Sequence, residues 1–237
     1  VDMVSFTGST ETGRRFLKYA ADSNLKKVVL ECGGKNPALV FDDAENLDHV
    51  AEHVVNGAFW NAGQNCSATS RLIVHSAVKA ALLDKINARI REWKVGNPLD
   101  PANHIGALID KDHCSKVRSY LDDKGDGPFI SPTVFEVEAD DQRLRDEIFG
   151  PVLCVITVDS NDEAVQVAND TYYGLTASLF SAGSRSAIRA ARDIRAGTVT
   201  VNCYCEGNIS TPFGGYKQSG FGGRDNGLHA HDQYTEI

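Results

Sequence analysis

Hydrophobic and polar positions along the chain follow two alternating rhythms. Apolar or β-branched runs at Val28 to Leu30, Asn36 to Phe41, Arg71 to His75 and Val152 to Val158 predict strands, the last buried on both faces. Asp2 to Phe6 alternates in strand fashion. Phe129 to Phe135, interrupted by Pro132, and Ala177 to Phe180 and Thr198 to Asn202 predict further strands. Between them lie stripes of helical period. Leu47, Val50, Ala51, Val54, Val55, Ala58 and Phe59 recur at i, i+3, i+4 and i+7, which predicts an amphipathic helix ending at Gly63. Ser76 is placed to cap a helix with Val78, Leu82, Ile86, Ile90 and Trp93 inward. Phe16, Leu17 and Ala20 mark a helix near the start, and shorter helices are predicted over Lys111 to Leu121 and Ser184 to Ile194. Another is opened by a capping box at Ser160 and Glu163. Strands alternating with helices predict an α/β fold, a mostly parallel twisted sheet flanked by helices. From Gly207 onward the glycine-rich tail predicts loops.

Composition narrows the function classes. The 237 residues, 42% hydrophobic, suffice for one large domain or for one domain plus part of another. A formal net charge of −8 argues against a nucleic-acid or anionic-membrane partner. No apolar stretch approaches the length of a membrane span, and the first residues lack the features of a secretory signal. The six cysteines, Cys32, Cys66, Cys114, Cys154, Cys203 and Cys205, form no CxxC pair and read as reduced thiols of a cytoplasmic protein. Cys203 and Cys205 sit at a strand-like i, i+2 spacing, which leaves a redox pair as an alternative.

Chemistry concentrates at three places. Cys66 lies in a small-residue loop between the long helix and the strand from Arg71, where backbone N–H groups would favour thiolate over thiol. Taken alone, a cysteine is more often a small buried hydrophobe. Glu31 ends the Val28 to Leu30 strand and is followed by Gly33 and Gly34, so its carboxylate could sit in a cleft with backbone passing close by. Near the start, a strand, the turn Gly8-Ser9-Thr10 and a helix N-terminus would make a phosphate cradle. His49, Glu52 and His53 spell H-x-x-E-H, a zinc spacing. The imidazoles fall on the flank of the apolar stripe, however, and read as a solvated flank; no metal is expected.

The segments Glu31-Cys32-Gly33-Gly34-Lys35, Gly63-Gln64-Asn65-Cys66, Glu147-Ile148-Phe149-Gly150-Pro151 and Pro212-Phe213-Gly214-Gly215-Tyr216-Lys217 occur in that order. In them the chain resembles the aldehyde dehydrogenase superfamily over nearly its whole length. The resemblance implies oxidation of an aldehyde to a carboxylic acid with NAD or NADP. It makes Cys66 the nucleophile, forming a thiohemiacetal and then a thioester, and Glu31 the general base for hydrolysis. It gives the backbone N–H of Cys66 to the oxyanion and Gly8, Ser9 and Gly13 to the dinucleotide pyrophosphate. Glu147 and Phe149 match the positions that hold the nicotinamide ribose and ring. Cys205, Glu206 and Phe213 would line the substrate pocket, in a pattern closest to the branch acting on amino- or γ-glutamylamino-aldehydes.

The same resemblance divides the chain into residues 1–34, the end of a dinucleotide-binding domain, and residues 35–237, a catalytic domain lacking the family's C-terminal oligomerisation strand. It implies a longer homo-oligomeric enzyme and a 237-residue polypeptide that binds cofactor weakly and turns over poorly. The family's second oxyanion donor, an asparagine farther upstream, has no counterpart here. Cys32 replaces a usual leucine, Gly222 and Gly223 add one glycine, and the stretch between Leu121 and Phe129 is short for the family. Two other readings remain open: a catalytically incompetent relative with a structural or interaction role, and a thiol esterase that uses Cys66 without nucleotide.

Overall fold

The computed structural model of the chain describes every residue except Asp122, Lys124, Cys205, Glu206 and Ile237. Its elements run, in chain order, β1 (Met3–Thr7), α1 (Thr10–Ala21), β2 (Lys27–Glu31), β3 (Asn36–Val40), α2 (Leu47–Phe59), β4 (Thr69–His75), α3 (Ser76–Glu92), α4 (Lys111–Arg118), β5 (Thr133–Glu136), β6 (Val152–Val158), α5 (Asn161–Asn169), β7 (Thr176–Phe180), α6 (Ser184–Asp193), β8 (Thr198–Val201) and β9 (Gly220–Phe221). They form two sheets. In the smaller, β1 pairs in parallel with β2, and β9 from the tail adds antiparallel to β2, with Glu31 opposite Gly220. The larger has six strands, all parallel, in the order β5-β6-β4-β3-β7-β8. The expected α/β architecture with a largely parallel sheet is therefore present.

Strands on the inside of this order need apolar residues on both faces, and they have them. β3 and β7 are buried throughout, and β6 at every position but Thr157. From β3 the chain steps to β4, passes to the edge strand β5, returns to β6 between them, and then crosses to β7 and β8 on the other side of β3. Right-handed crossovers in opposite directions put α2 and α3 on one face and α5 and α6 on the other. The apolar stripe of α2 is buried from Val50 to Phe59 as its spacing predicts, and Lys85 and Arg89 of α3 pair with Asp48 and Glu52 on its outer side. Ser160 caps α5 as expected, its Oγ accepting from the Glu163 N–H at 3.2 Å, while the Glu163 carboxylate reaches one residue past the cap, to the Asp159 N–H at 2.9 Å. Arg71 is 2% exposed, and its guanidinium donates to the carbonyls of Lys35, Val167 and Ala168, each at 2.9 Å. A fixed cation thus satisfies the C-terminal carbonyls of α5 inside the protein.

Several expectations give way to local geometry. α3 is capped by His75, whose Nδ1 accepts from the Ala77 N–H at 3.2 Å, and Ser76 is the first helical residue. The long helix stops at Phe59; a tight turn follows in which Asn61 and Ala62 adopt left-handed φ of 53° and 56°, so the stripe does not reach Gly63. α4 ends at Arg118, and β5 begins only after Pro132, which has no N–H for a ladder. Cys203 lies beyond the end of β8, so it belongs to no strand, and Cys205 lies outside the described residues. No helix among the described residues is long and apolar enough to cross a membrane.

Candidate active site

Parallel topology decides where the candidate residues meet. β3, β4 and β6 all start at one edge of the large sheet, with Asn36 in register with Thr69 and Arg71 with Cys154. The segments just ahead of those strands carry Glu31 to Lys35, Cys66 to Ala68, and Glu147 to Pro151. Glu31 itself ends β2 of the small sheet, so the site lies on the seam between the two sheets.

Glu31 is 8% exposed, and its Oε2 has no hydrogen-bond partner. Burial pushes the carboxyl from 4.5 up to about 7; Asp225 adds to the rise and Arg224 opposes it. Both belong to the tail, which β9 brings back across β2. There the Phe213 and Asp225 backbones exchange hydrogen bonds at 2.6 and 2.7 Å, closing a loop. At its neck sits Gly214, where a Cβ would lie 2.8 Å from Glu31 Oε1 and 2.7 Å from Arg224 Cδ. Glycine at that position lets the tail cover the carboxylate.

Cys66 is half-buried in the loop between the left-handed turn and β4. Its carbonyl accepts from Asn36 Nδ2 at 2.8 Å, and the same amide donates to Ala68 O at 2.9 Å while Oδ1 accepts from the Thr176 N–H at 3.1 Å. Asn36, 3% exposed, therefore ties the cysteine loop to β3 and β7. A Cβ on Gly34 would lie 2.7 Å from the Cys66 carbonyl oxygen. The chain leaving Glu31 thus runs directly against the backbone of Cys66 at Gly34. The thiol donates to Asn65 Oδ1 at 3.8 Å.

Glu147 leans on the same strip. Its Oε1 accepts from the Gly34 N–H at 3.1 Å, a Cβ on Gly33 would strike its carboxylate, and burial raises its proton affinity. Phe149 holds a left-handed φ of 60°, a costly conformation for an aromatic residue, secured by a 2.7 Å hydrogen bond between its carbonyl and His113 Nε2. Gly63, with φ of 69°, packs so closely on Gly150 that a Cβ would lie 2.2 Å from its carbonyl oxygen. A cavity of ≈ 20 Å³ remains between these segments, lined by Gly34, Asn65, Glu147 and Phe149 among others. It has room for about one water.

The turn into α1 is open to solvent at Gly8 and Ser9. Ser9 caps the helix, its Oγ accepting from the Thr12 N–H at 3.2 Å, and the Gly8 N–H donates to Glu31 O at 3.0 Å. Gly13 faces inward, where a Cβ would be 3.0 Å from Cys32 Sγ; it seats the helix on β2 and does not line the mouth of the turn. Phe213 is half-buried next to Gly214, hence beside Glu31; Cys205 and Glu206 fall outside the described residues. His49 is exposed and His53 half-buried, and both also bond the segment that follows β8. His49 Nε2 bonds the carbonyl of Asn202 at 2.8 Å, and His53 Nδ1 accepts from the Tyr204 N–H at 3.1 Å. Among the described residues no three His, Cys, Asp or Glu side chains converge as metal ligands.

Sequence reasoning missed Gly214, Arg224 and Asp225 around Glu31, and Asn36 behind Cys66. The glycine-rich tail was the available signal for the first three. For Asn36 there was its place between Lys35 and Pro37, at the start of an otherwise apolar run.

The whole chain, residues 1–237, matches the family model described as the aldehyde dehydrogenase family. It is 60% identical to an aminoacetaldehyde dehydrogenase of Pseudomonas aeruginosa over 251 aligned positions, covering 100% of this chain and 51% of that protein. It is 42% identical to an NADP/NAD-dependent aldehyde dehydrogenase, PuuC, of Escherichia coli, of which it covers 50%. Among solved structures, a gamma-glutamyl-gamma-aminobutyraldehyde dehydrogenase from Burkholderia cenocepacia superposes with a TM-score of 0.95 at 45% identity, covering 100% of this chain and 51% of that one. An indole-3-acetaldehyde dehydrogenase complexed with NAD+ superposes with a TM-score of 0.95 at 43% identity, over 100% of this chain and 51% of that one. The chain spans about half the length of the curated relatives it matches.

Proposed function

The chain belongs to the aldehyde dehydrogenase family, and from that premise we propose that it carries the catalytic half of an NAD(P)-dependent enzyme that oxidises an aldehyde to a carboxylic acid. The observation that carries this reading is Glu31: a buried carboxyl with an unpartnered oxygen and a proton affinity near neutrality, at the end of the strand that runs on against Cys66. A general base works best when its pKa lies close to the operating pH.

The steps assigned to this chain's residues are as follows. The Cys66 thiolate attacks the aldehyde carbon, forming a C–S bond and an oxyanion beside the Cys66 N–H. Bound nicotinamide supplies the hydride acceptor. The resulting thioester is opened by water: Glu31 takes the proton as the water oxygen attacks, the C–S bond breaks, and Cys66 leaves as thiolate. The residues present suit the dinucleotide in part. The exposed turn at Gly8 and Ser9, at the head of a 12-residue helix, would take the pyrophosphate, with the Gly8 N–H itself held by Glu31 O. Gly13 lets that helix approach the sheet. Glu147 would accept from ribose hydroxyls, and Phe149 would offer a flat face to the ring. Residues 1–34 then belong to the nucleotide-binding domain and 35–237 to the catalytic domain, which accords with the two sheets although β9 crosses between them.

For substrate we propose an aminoaldehyde, with Phe213 as a pocket wall and Cys205, Glu206 and Gly207 at the entrance. Support comes from relatives named for aminoacetaldehyde and for gamma-glutamyl-gamma-aminobutyraldehyde. We place the protein in the cytoplasm as a homo-oligomer, and expect the 237-residue chain alone to turn over poorly.

The test is mass spectrometry of the full-length protein after incubation with aminoaldehyde and NAD+. An acyl group on Cys66 that accumulates in Glu31→Gln is the expected result. No adduct would favour a non-catalytic relative, and ester cleavage indifferent to NAD+ would favour the esterase. A kcat/KM that strongly prefers simple alkyl aldehydes would remove the substrate proposal.

A further inference from the structure

The chain leaving β8 turns back along α2, from the far edge of the sheet toward the edge that holds Cys66. It is pinned twice, by His49 at Asn202 O and by His53 at the Tyr204 N–H. The two imidazoles are one helical turn apart with centroids separated by 4.3 Å, edge to face. One turn farther along α2 is Gly57, where a Cβ would lie 2.8 Å from the Tyr204 ring, so the ring rests on bare backbone. There the Tyr204 hydroxyl accepts from Asn65 Nδ2 at 3.4 Å, and Asn65 Oδ1 accepts from the Cys66 thiol.

We infer that His53 is a positioning residue for the Cys66 thiol: it seats Tyr204 on α2, Tyr204 holds Asn65, and Asn65 holds the sulfur. This rests on Cys66 being the nucleophile. The link at His53 exists only while Nδ1 is unprotonated, because a protonated ring would set N–H against N–H. His49 differs: its Nε2–H donates to a carbonyl in either protonation state. The groups facing His53 are His49 and Glu52 on its own helix, Glu52 being paired with Arg89 of α3 at 3.5 Å, the uncharged Phe180 ring of β7, and Tyr204. Burial, with the neighbouring His49, keeps the proton affinity of His53 below the ordinary 6.5. The link is closed at neutral pH and opens in the acid range.

The experiment is a pH titration of the isotopically labelled protein by NMR, with iodoacetamide labelling of Cys66 followed in parallel by mass spectrometry. The Tyr204 amide, the Asn65 side-chain amide and the Cys66 alkylation rate, corrected for the pH dependence of a thiol of constant pKa, should all change with the midpoint of the His53 ring. The corrected rate should rise about fivefold toward acid, the factor for losing one hydrogen bond of ~1 kcal/mol. His53→Gln, whose oxygen can accept the same N–H but gains no proton in this range, should lose the step. Tyr204→Phe should lose it at Asn65 and Cys66 while the amide of residue 204 still titrates. The inference is overturned if Asn65 and Cys66 ignore the His53 midpoint, or if their response survives Tyr204→Phe. Alkylation needs neither aldehyde nor nucleotide, so a Cys66 that proves idle in turnover would sink the nucleophile assignment without altering these readings.

Discussion

Replacing Glu31 with Gln keeps the shape of the side chain and removes its ionisation. The carboxyl is 8% exposed and raised from 4.5 to about 7. A raised pKa means that the folded protein holds this proton more tightly than the unfolded chain does. The stability that goes with it is complete below 4.5 and is lost as pH rises through 7. At about 1.4 kcal/mol per pKa unit, the full loss is about 3 kcal/mol, of which ~1 kcal/mol has already occurred at pH 5. The Gln variant, neutral throughout, should therefore gain roughly 2–3 kcal/mol on the wild type between pH 5 and pH 8, or about 5–10 °C in Tm for a chain of this size. The cost of burying its amide is the same at every pH and drops out of the difference. Urea denaturation of both proteins at four pH values across that range measures it. A gap that stays constant would refute the reasoning: the carboxyl would then be either solvated or kept ionised by Arg224.

Three further outcomes follow from the same geometry. Asp225→Asn removes a negative charge beside Glu31 and should move the carboxyl's midpoint down, whereas Arg224→Met should move it up; carbon-13 NMR of labelled Glu, assigned with the Glu31→Gln variant, reads both, and shifts of like sign would refute the arrangement. Gly63→Ala combines a left-handed φ with a Cβ only 2.2 Å from the Gly150 carbonyl oxygen, so it should cost more than ~2 kcal/mol in denaturant and disturb the Cys66 loop. Asn36→Ala forfeits hydrogen bonds to Cys66 O, Ala68 O and the Thr176 N–H; a loss of about 3 kcal/mol and a changed alkylation rate at Cys66 are expected, and an unchanged rate would show that Asn36 does not hold that loop.

The fold was legible where one physical demand acts alone. An interior strand of a parallel sheet must be apolar on both faces, and β3, β6 and β7 announce that directly. The stripe of α2 likewise predicts its buried face. Boundaries failed where a competing local option existed. His75 offered a ring nitrogen to the first turn of α3 before Ser76 could offer a hydroxyl, and Asn61 and Ala62 took up left-handed geometry that residue type alone does not advertise. The histidine pair sits on the open flank that its spacing indicates, with His49 exposed, but its hydrogen bonds to the segment after β8 left no trace in the pattern.

The candidate site shows the same division more sharply. Glu31, Cys66, Glu147 and Phe149 each precede or end a strand, so motif and topology together assign them to one seam. What tunes Glu31 arrives by another route: the tail crosses to the small sheet, β9 locks onto β2, and Asp225 and Arg224 are delivered to the carboxylate from more than half the chain away. No periodicity encodes such a return, because the tail is neither helix nor long strand and its two-residue β9 falls below any pattern. The glycines at its contacts are the trace it leaves, since a chain that must pass over a carboxylate without a side chain intervening has few alternatives. It follows that the ionisation of Glu31 should depend on the tail being docked. Truncation before Phe213 should solvate the carboxyl and return it toward the ordinary range near 4.5, as read by the same carbon-13 titration. A carboxyl that still titrates near 7 without the tail would place the cause in the strand itself and not in what covers it.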